Sequence, residues 1–159
     1  DLDRAAQYNP SSISKNGYAF AIAAIPDADH KAAAYKRIME DSSLSNDALT
    51  STANGFLRGD VELRTPYYKP FFDSLLSMWD TRSIGMATRI VRGLYPRSLY
   101  NYGSAEGTGV SDNPSVALAQ EWLHKNPSAP SALRRLILEA QDNAHRNMIG
   151  QQFNSSLSD

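Results

Sequence analysis

The sequence predicts an all-α protein, with antiparallel helix pairs stacked either as a solenoid or as an irregular bundle. Three observations predict it. Apolar residues recur at three- and four-residue steps along most of the chain, the spacing that places side chains on one face of a helix. No segment alternates convincingly with period two, the mark of a half-buried strand. Between the periodic segments stand Asp, Ser and Asn where a helix would begin, and Pro or Gly where one would end. Short connections favour antiparallel neighbours. There is no clean internal repeat, so pattern alone leaves both solenoid and bundle open.

The elements follow in order. Ile13, Gly17, Phe20 and Ala24 share a face of a first helix that Pro26 stops. Asp27 caps a second, where Ala32, Tyr35 and Ile38 share a face. Ser45 caps a third, whose broad stripe is Ala48, Leu49, Thr52, Ala53, Phe56 and Leu57, with Gly59 just past its end. Thr65 and Pro66 mark the start of a fourth, with Tyr68, Phe71, Phe72, Leu75, Leu76 and Trp79 inward. Pro70 conflicts with that start, because inside a helix it removes a backbone bond. A start near Lys69, after a turn, is the alternative.

Ser83 caps a fifth helix bearing Ile84, Ala87, Ile90, Val91 and Leu94, and Pro96 ends it. Residues 97 to 112, with Gly103, Gly107 and Gly109, read as a long loop. Asn113 and Pro114 restart a helix with Val116, Ala119, Trp122 and Leu123 inward. After a break at Asn126 to Ser128, Pro130 opens the last helix, where Leu133, Leu136, Ile137, Ala140 and Ala144 line up. The expected organisation is a single helical domain over residues 1–153 and a frayed polar tail over 154–159.

With 159 residues, 42% of them hydrophobic and 21% charged, the chain suits one globular domain rather than a disordered one. A net charge of −1 gives no field that favours nucleic acid or a membrane surface. Without cysteine there is no disulfide, thiolate metal site or cysteine nucleophile. No apolar run approaches the roughly 20 residues that span a bilayer, and no signal peptide is expected. The first residue is Asp1 rather than Met, which reads as a piece of something longer or as a processed mature protein.

No catalytic, cofactor-binding or metal-ligating residue is expected in this sequence. His30, His124 and His145 stand apart, and none has a second histidine four residues away. His-Glu-x-x-His, which puts two imidazoles and a base on one helix face, is absent. The histidines read as ordinary surface or interface residues, and Glu40 with Asp41 as a solvated helix end. No Gly-x-Ser-x-Gly occurs. The stretch Gly103 to Gly109 lacks the Gly-Lys-Ser/Thr ending of a phosphate loop.

The cluster Tyr67, Tyr68, Phe71, Phe72 and Trp79 reads first as a buried face. Its functional reading is a wall of a peptide-binding chamber, with Tyr67 or Tyr68 outside the core. Arg82, Arg89, Arg92, Arg97, Arg134 and Arg135 read as solvated or in weak surface pairs. One or two of them could hold a substrate carboxylate by a forked hydrogen bond.

Three ordered stretches carry a resemblance. Pro66-Tyr67 with Phe71-Phe72 is similar to the Pro-Tyr-x-x-x-Tyr-Phe segment in the last domain of actinobacterial-type aminopeptidases N, a zinc metallopeptidase (gluzincin) family. Ile90-Val91-Arg92-Gly93-Leu94-Tyr95-Pro96 resembles that family's Ile-Val-x-Gly-Leu-Tyr-Pro. Trp122-Leu123 followed by Ala132-Leu133-Arg134-Arg135-Leu136 looks like its closing Trp-Leu … Ala-Leu-Arg-Arg-Leu. The resemblance runs from about Ser11 to Arg146.

It implies a cytoplasmic parent chain with a β-rich N-terminal domain, a thermolysin-like zinc domain and a C-terminal domain of HEAT-like helix pairs. This stretch would be that last domain. It would wall the active-site chamber and limit the access of peptide substrates, with the catalytic domain of the same parent as its partner. The zinc would belong to the parent, and no catalytic residue is carried over. A free-standing helical-repeat scaffold for protein interaction is the alternative.

Overall fold

The computed structural model describes residues 12–97 and 114–156, and its fold is all-α. The helices are α1 (Ser12–Ala24), α2 (Ala28–Glu40), α3 (Asn46–Phe56), α4 (Tyr68–Thr81), α5 (Ile84–Leu94), α6 (Pro114–Lys125) and α7 (Ser131–Ser156). Two 3-10 turns, Val61–Leu63 and Thr65–Tyr67, link α3 to α4. There is no strand among the described residues. The chain divides into two compact units, one ending at Leu94 and one beginning at Tyr95.

In the first unit α3 is central, packing on α1, α2 and α5, while α1 also meets α2 and α4 meets α5. Small residues let α3 come close to its neighbours. Gly55 is buried against Phe20 and Ala23 of α1. On another side, a Cβ added at Gly93 of α5 would lie 2.9 Å from the Cβ of Ala53. This packing turns α1 away from its expected face. Ala19 and Ala23 are buried, Phe20 and Ala24 only partly, and Gly17 is exposed. The small Ala23 and the backbone of Phe20 meet α3 at Gly55, where the two helices come close.

The caps stand where expected. The Asp27 carboxylate accepts from the amide of His30 at 2.9 Å, and the Ser45 hydroxyl from that of Ala48 at 3.2 Å. The Ser83 hydroxyl accepts from Met86 N at 3.3 Å. Each satisfies an amide that the first helical turn leaves without a partner. Gly59, at φ +84°, follows the end of α3, in backbone that costs glycine little.

The inner face of α2 is Lys31, Ala34 and Ile38, with Ala32 exposed and Tyr35 partly buried. The α3 stripe holds for Leu49, Thr52, Ala53 and Phe56, and Gly55 joins it. The fourth helix begins at Tyr68, not at Thr65, so Pro70 falls in its first turn. There an amide has no intrahelical acceptor to lose, and the ring is tolerated. Tyr68, Phe71, Phe72 and Leu75 are buried as expected, but Met78 takes the place of Leu76, which is 38% exposed. Along α5, Ala87, Ile90, Val91 and Leu94 are buried. Ile84 opens the helix ahead of the packed stretch and is 73% exposed.

In the second unit α6 packs on α7. Ser115, Val116, Ala119 and Trp122 are buried, as are Leu133 and Ile137. Leu123, Leu136, Ala140 and Ala144 are partly covered. The last helix continues through Ser156, past Phe153. The expected loop from 98 onward, Asn113 and residues 157–159 lie outside the described residues.

Candidate functional site

The polar chemistry of the fold gathers where helices end. A helix leaves its last carbonyls without amide partners and concentrates partial negative charge there. Lys31, fully buried in α2, reaches across to two such ends. Its ammonium donates to Ala23 O at the end of α1 (2.8 Å), and to Gly55 O (3.2 Å) and Phe56 O (3.1 Å) at the end of α3. All three protons of the ammonium have an acceptor, and no carboxylate is among them. Burial, and secondarily the nearby Arg64 charge, hold the Lys31 pKa below its ordinary value, with Asp27 opposing them.

Around Lys31 lies an aromatic cluster. Its Nζ sits 5.9 Å from the Phe56 ring centroid. Phe56 is edge-on to Tyr67 at 5.5 Å, and Tyr67 lies 4.7 Å from Tyr35. Burial raises the Tyr35 hydroxyl to about 12, with the Ser74 hydroxyl opposing the shift. Tyr68 is likewise pushed up by burial, against the pull of Arg64. Arg64, between the two 3-10 turns, is only 3% exposed. Its Nε and Nη2, and the Tyr68 hydroxyl, are buried without a hydrogen-bond partner among the described residues.

Two of the six singled-out arginines also serve helix ends. Arg82 donates to Met39 O at 2.7 Å and Asp41 O at 3.2 Å, where α2 finishes. In the second unit Arg134 donates to Leu123 O at 2.8 Å and Asn126 O at 2.6 Å, where α6 finishes. Arg135, its neighbour in sequence, makes a surface pair with Glu139 at 2.9 Å. Tyr67 is half-buried and Tyr68 buried.

Among the described residues no three His, Asp or Glu side chains gather as a metal site. His30 pairs with Asp27 at 2.5 Å, His124 is exposed, and the His145 side chain lies outside the described ones. Asp41 closes α2 and accepts from Ser43, whose hydroxyl and amide hold its carboxyl below the usual range. No helix among the described residues is long and apolar enough to cross a membrane. The exposed large apolar residues among them are Leu76, Ile84 and Leu138, on α4, α5 and α7.

Sequence reading did not single out Lys31 or Arg64. Lys31 had a signal: with Ala34 and Ile38 it falls at i, i+3 and i+7, inside the apolar stripe. Arg64 had none, since it lies in a link without periodicity.

No family model matches the chain. Over 143 residues, 89% of its length, the chain is 29% identical to aminopeptidase N of Streptomyces lividans. It spans 15% of that protein's length, which fits a fragment of an aminopeptidase. The motifs behind the resemblance are mostly core builders. Phe71, Phe72, Ile90, Val91, Leu94, Tyr95, Trp122 and Leu133 are all buried, and Arg134 caps α6.

Proposed function

We propose that this chain is the helical C-terminal domain of a larger zinc aminopeptidase, one that removes N-terminal amino acids from peptides. One observation carries the reading: similarity covers nearly the whole of this chain but only 15% of an aminopeptidase N. Supporting it, the shared motifs fall on buried positions and on one helix cap, which is what a common scaffold would retain. The domain's role is to wall the active-site chamber and limit peptide access, through stacked HEAT-like helix pairs docked on the catalytic domain of the same parent chain. In this reading the zinc would be held by the rest of that parent. When bound there it activates water and polarises the scissile carbonyl.

The test is the complete open reading frame around this sequence. The expected result is an upstream His-Glu-x-x-His followed by a distal Glu. A frame that begins near Asp1 would overturn the reading in favour of a free-standing helical scaffold. A second measurement addresses the division of labour: the whole parent should release amino acids from a Leu-arylamide, and the 159-residue chain alone should not. Zinc-dependent release by the chain alone would sink the claim that it carries no catalytic groups.

A further inference from the structure

The Arg64 guanidinium is sealed in the first unit with Nε and Nη2 unbonded among the described residues. These two N–H groups are the parallel pair of a guanidinium, the fork that matches both oxygens of one carboxylate. The Tyr68 hydroxyl, a further donor, is buried and unbonded as well. Arg64 and Tyr68, both buried, flank the 3-10 turn Thr65–Tyr67 and so stand about one turn apart, and the Arg64 charge is felt at Lys31 as well. The Lys31 ammonium is already saturated by carbonyls. It adds a second positive charge that no hydrogen-bonded carboxylate offsets. Two buried cations and an idle hydroxyl therefore share the interior of this unit, where leaving charged donors unpaired is costly.

We infer that Arg64 and Tyr68 form a socket for a single carboxylate, bound two-pronged by the Arg64 fork and singly by the Tyr68 hydroxyl, in the field of Lys31. Access is by local opening of residues 61–67, whose 3-10 turns have weaker hydrogen bonding than an α-helix. The carboxylate is either a peptide's terminal group or an acidic side chain. The inference stands whether or not the chain belongs to an aminopeptidase.

The experiment follows the Nε–H resonances of the arginines by proton–nitrogen NMR on the whole 159-residue chain. Acetate is titrated against chloride at equal ionic strength. N-acetylglycine then represents the terminal source, and acetyl-Gly-Glu-Gly amide the side-chain source. The expected result is a saturable shift of one buried Nε–H with acetate but not chloride, lost in Arg64→Lys. Tyr68→Phe, which keeps the ring, should weaken binding by about three- to tenfold, the size of one hydrogen bond. The better of the two larger probes identifies the source. No saturable shift with any carboxylate in the wild-type chain would overturn the proposal, as would a Tyr68→Phe affinity equal to wild type.

Discussion

The Cβ that Gly55 lacks would lie 2.3 Å from the carbonyl oxygen of Phe20 and 2.8 Å from the Cβ of Ala23. Both are closer than non-bonded atoms approach, and the first is backbone that cannot rotate away. Gly55→Ala must therefore push α1 off α3, at a cost of about 2–3 kcal/mol for overpacking. Gly17→Ala is the control. It sits in α1, exposed, with nothing within 4 Å of an added Cβ. It should stabilise the chain by roughly 0.5–1 kcal/mol through lost unfolded-state freedom. Urea midpoints of the two variants should move in opposite directions. A Gly55→Ala chain as stable as wild type would contradict the close approach.

This contact shows why the fold was more legible than its interior. Caps were readable because they are local: a side-chain oxygen at Asp27 or Ser45 meets an amide three residues on. The α3 stripe was readable because it is wide and apolar. The face of α1 was not, because its orientation depends on Gly55, more than thirty positions away in sequence. Position 31 falls inside the α2 stripe, yet a lysine there reads by default as surface. Only the tertiary arrangement of two helix ends makes it a core residue. Of the candidate site, Tyr67, Tyr68, Arg82 and Arg134 stood out by residue type, but Arg64 did not, since it gains its meaning from what fails to bond to it.

Lys31→Met keeps the length and apolar stem of the side chain but leaves the carbonyls of Ala23 and Phe56 buried without the donor they now share. The expected cost is about 2–4 kcal/mol, from unsatisfied acceptors and lost interaction with two helix ends. The pH signature has a definite sign. The folded pKa is below the ordinary 10.5, so between those two values the unfolded chain binds more protons, and stability rises with pH there. Stability measured by denaturant titration up to about pH 10 should show this rise in the wild type and lose it in Lys31→Met. An unchanged slope in the variant would mean that Lys31 is not its source.

Arg134 and Arg135 are adjacent in sequence but differ in work. Arg134→Met removes two bonds to the end of α6 and should cost about 1–2 kcal/mol. Arg135→Met removes an exposed pair with Glu139 and should cost at most about 0.5 kcal/mol. Thermal melts of both variants, with and without added salt, check this. Equal losses, or a larger loss at Arg135, would refute the assignment of Arg134 as the cap.

Tyr35, Tyr68 and Tyr95 should limit stability at alkaline pH. Burial raises the Tyr35 pKa from 10.0 to about 12, and it raises Tyr68 and Tyr95 as well. Above pH 10 the unfolded chain releases these protons while the folded chain keeps them. The folded state then binds more protons, so stability falls as pH rises, for Tyr35 through to about 12. This opposes the Lys31 effect and should outlast it, because Lys31 contributes no slope once the unfolded lysine has also titrated. Tyrosinate absorbance should therefore rise in two steps, an early one from accessible tyrosines and a late one coincident with loss of helical circular dichroism. Tyr35→Phe should flatten the fall in stability above pH 10. A single absorbance step, complete while the helices remain intact, would show that these hydroxyls are not held protonated by the fold.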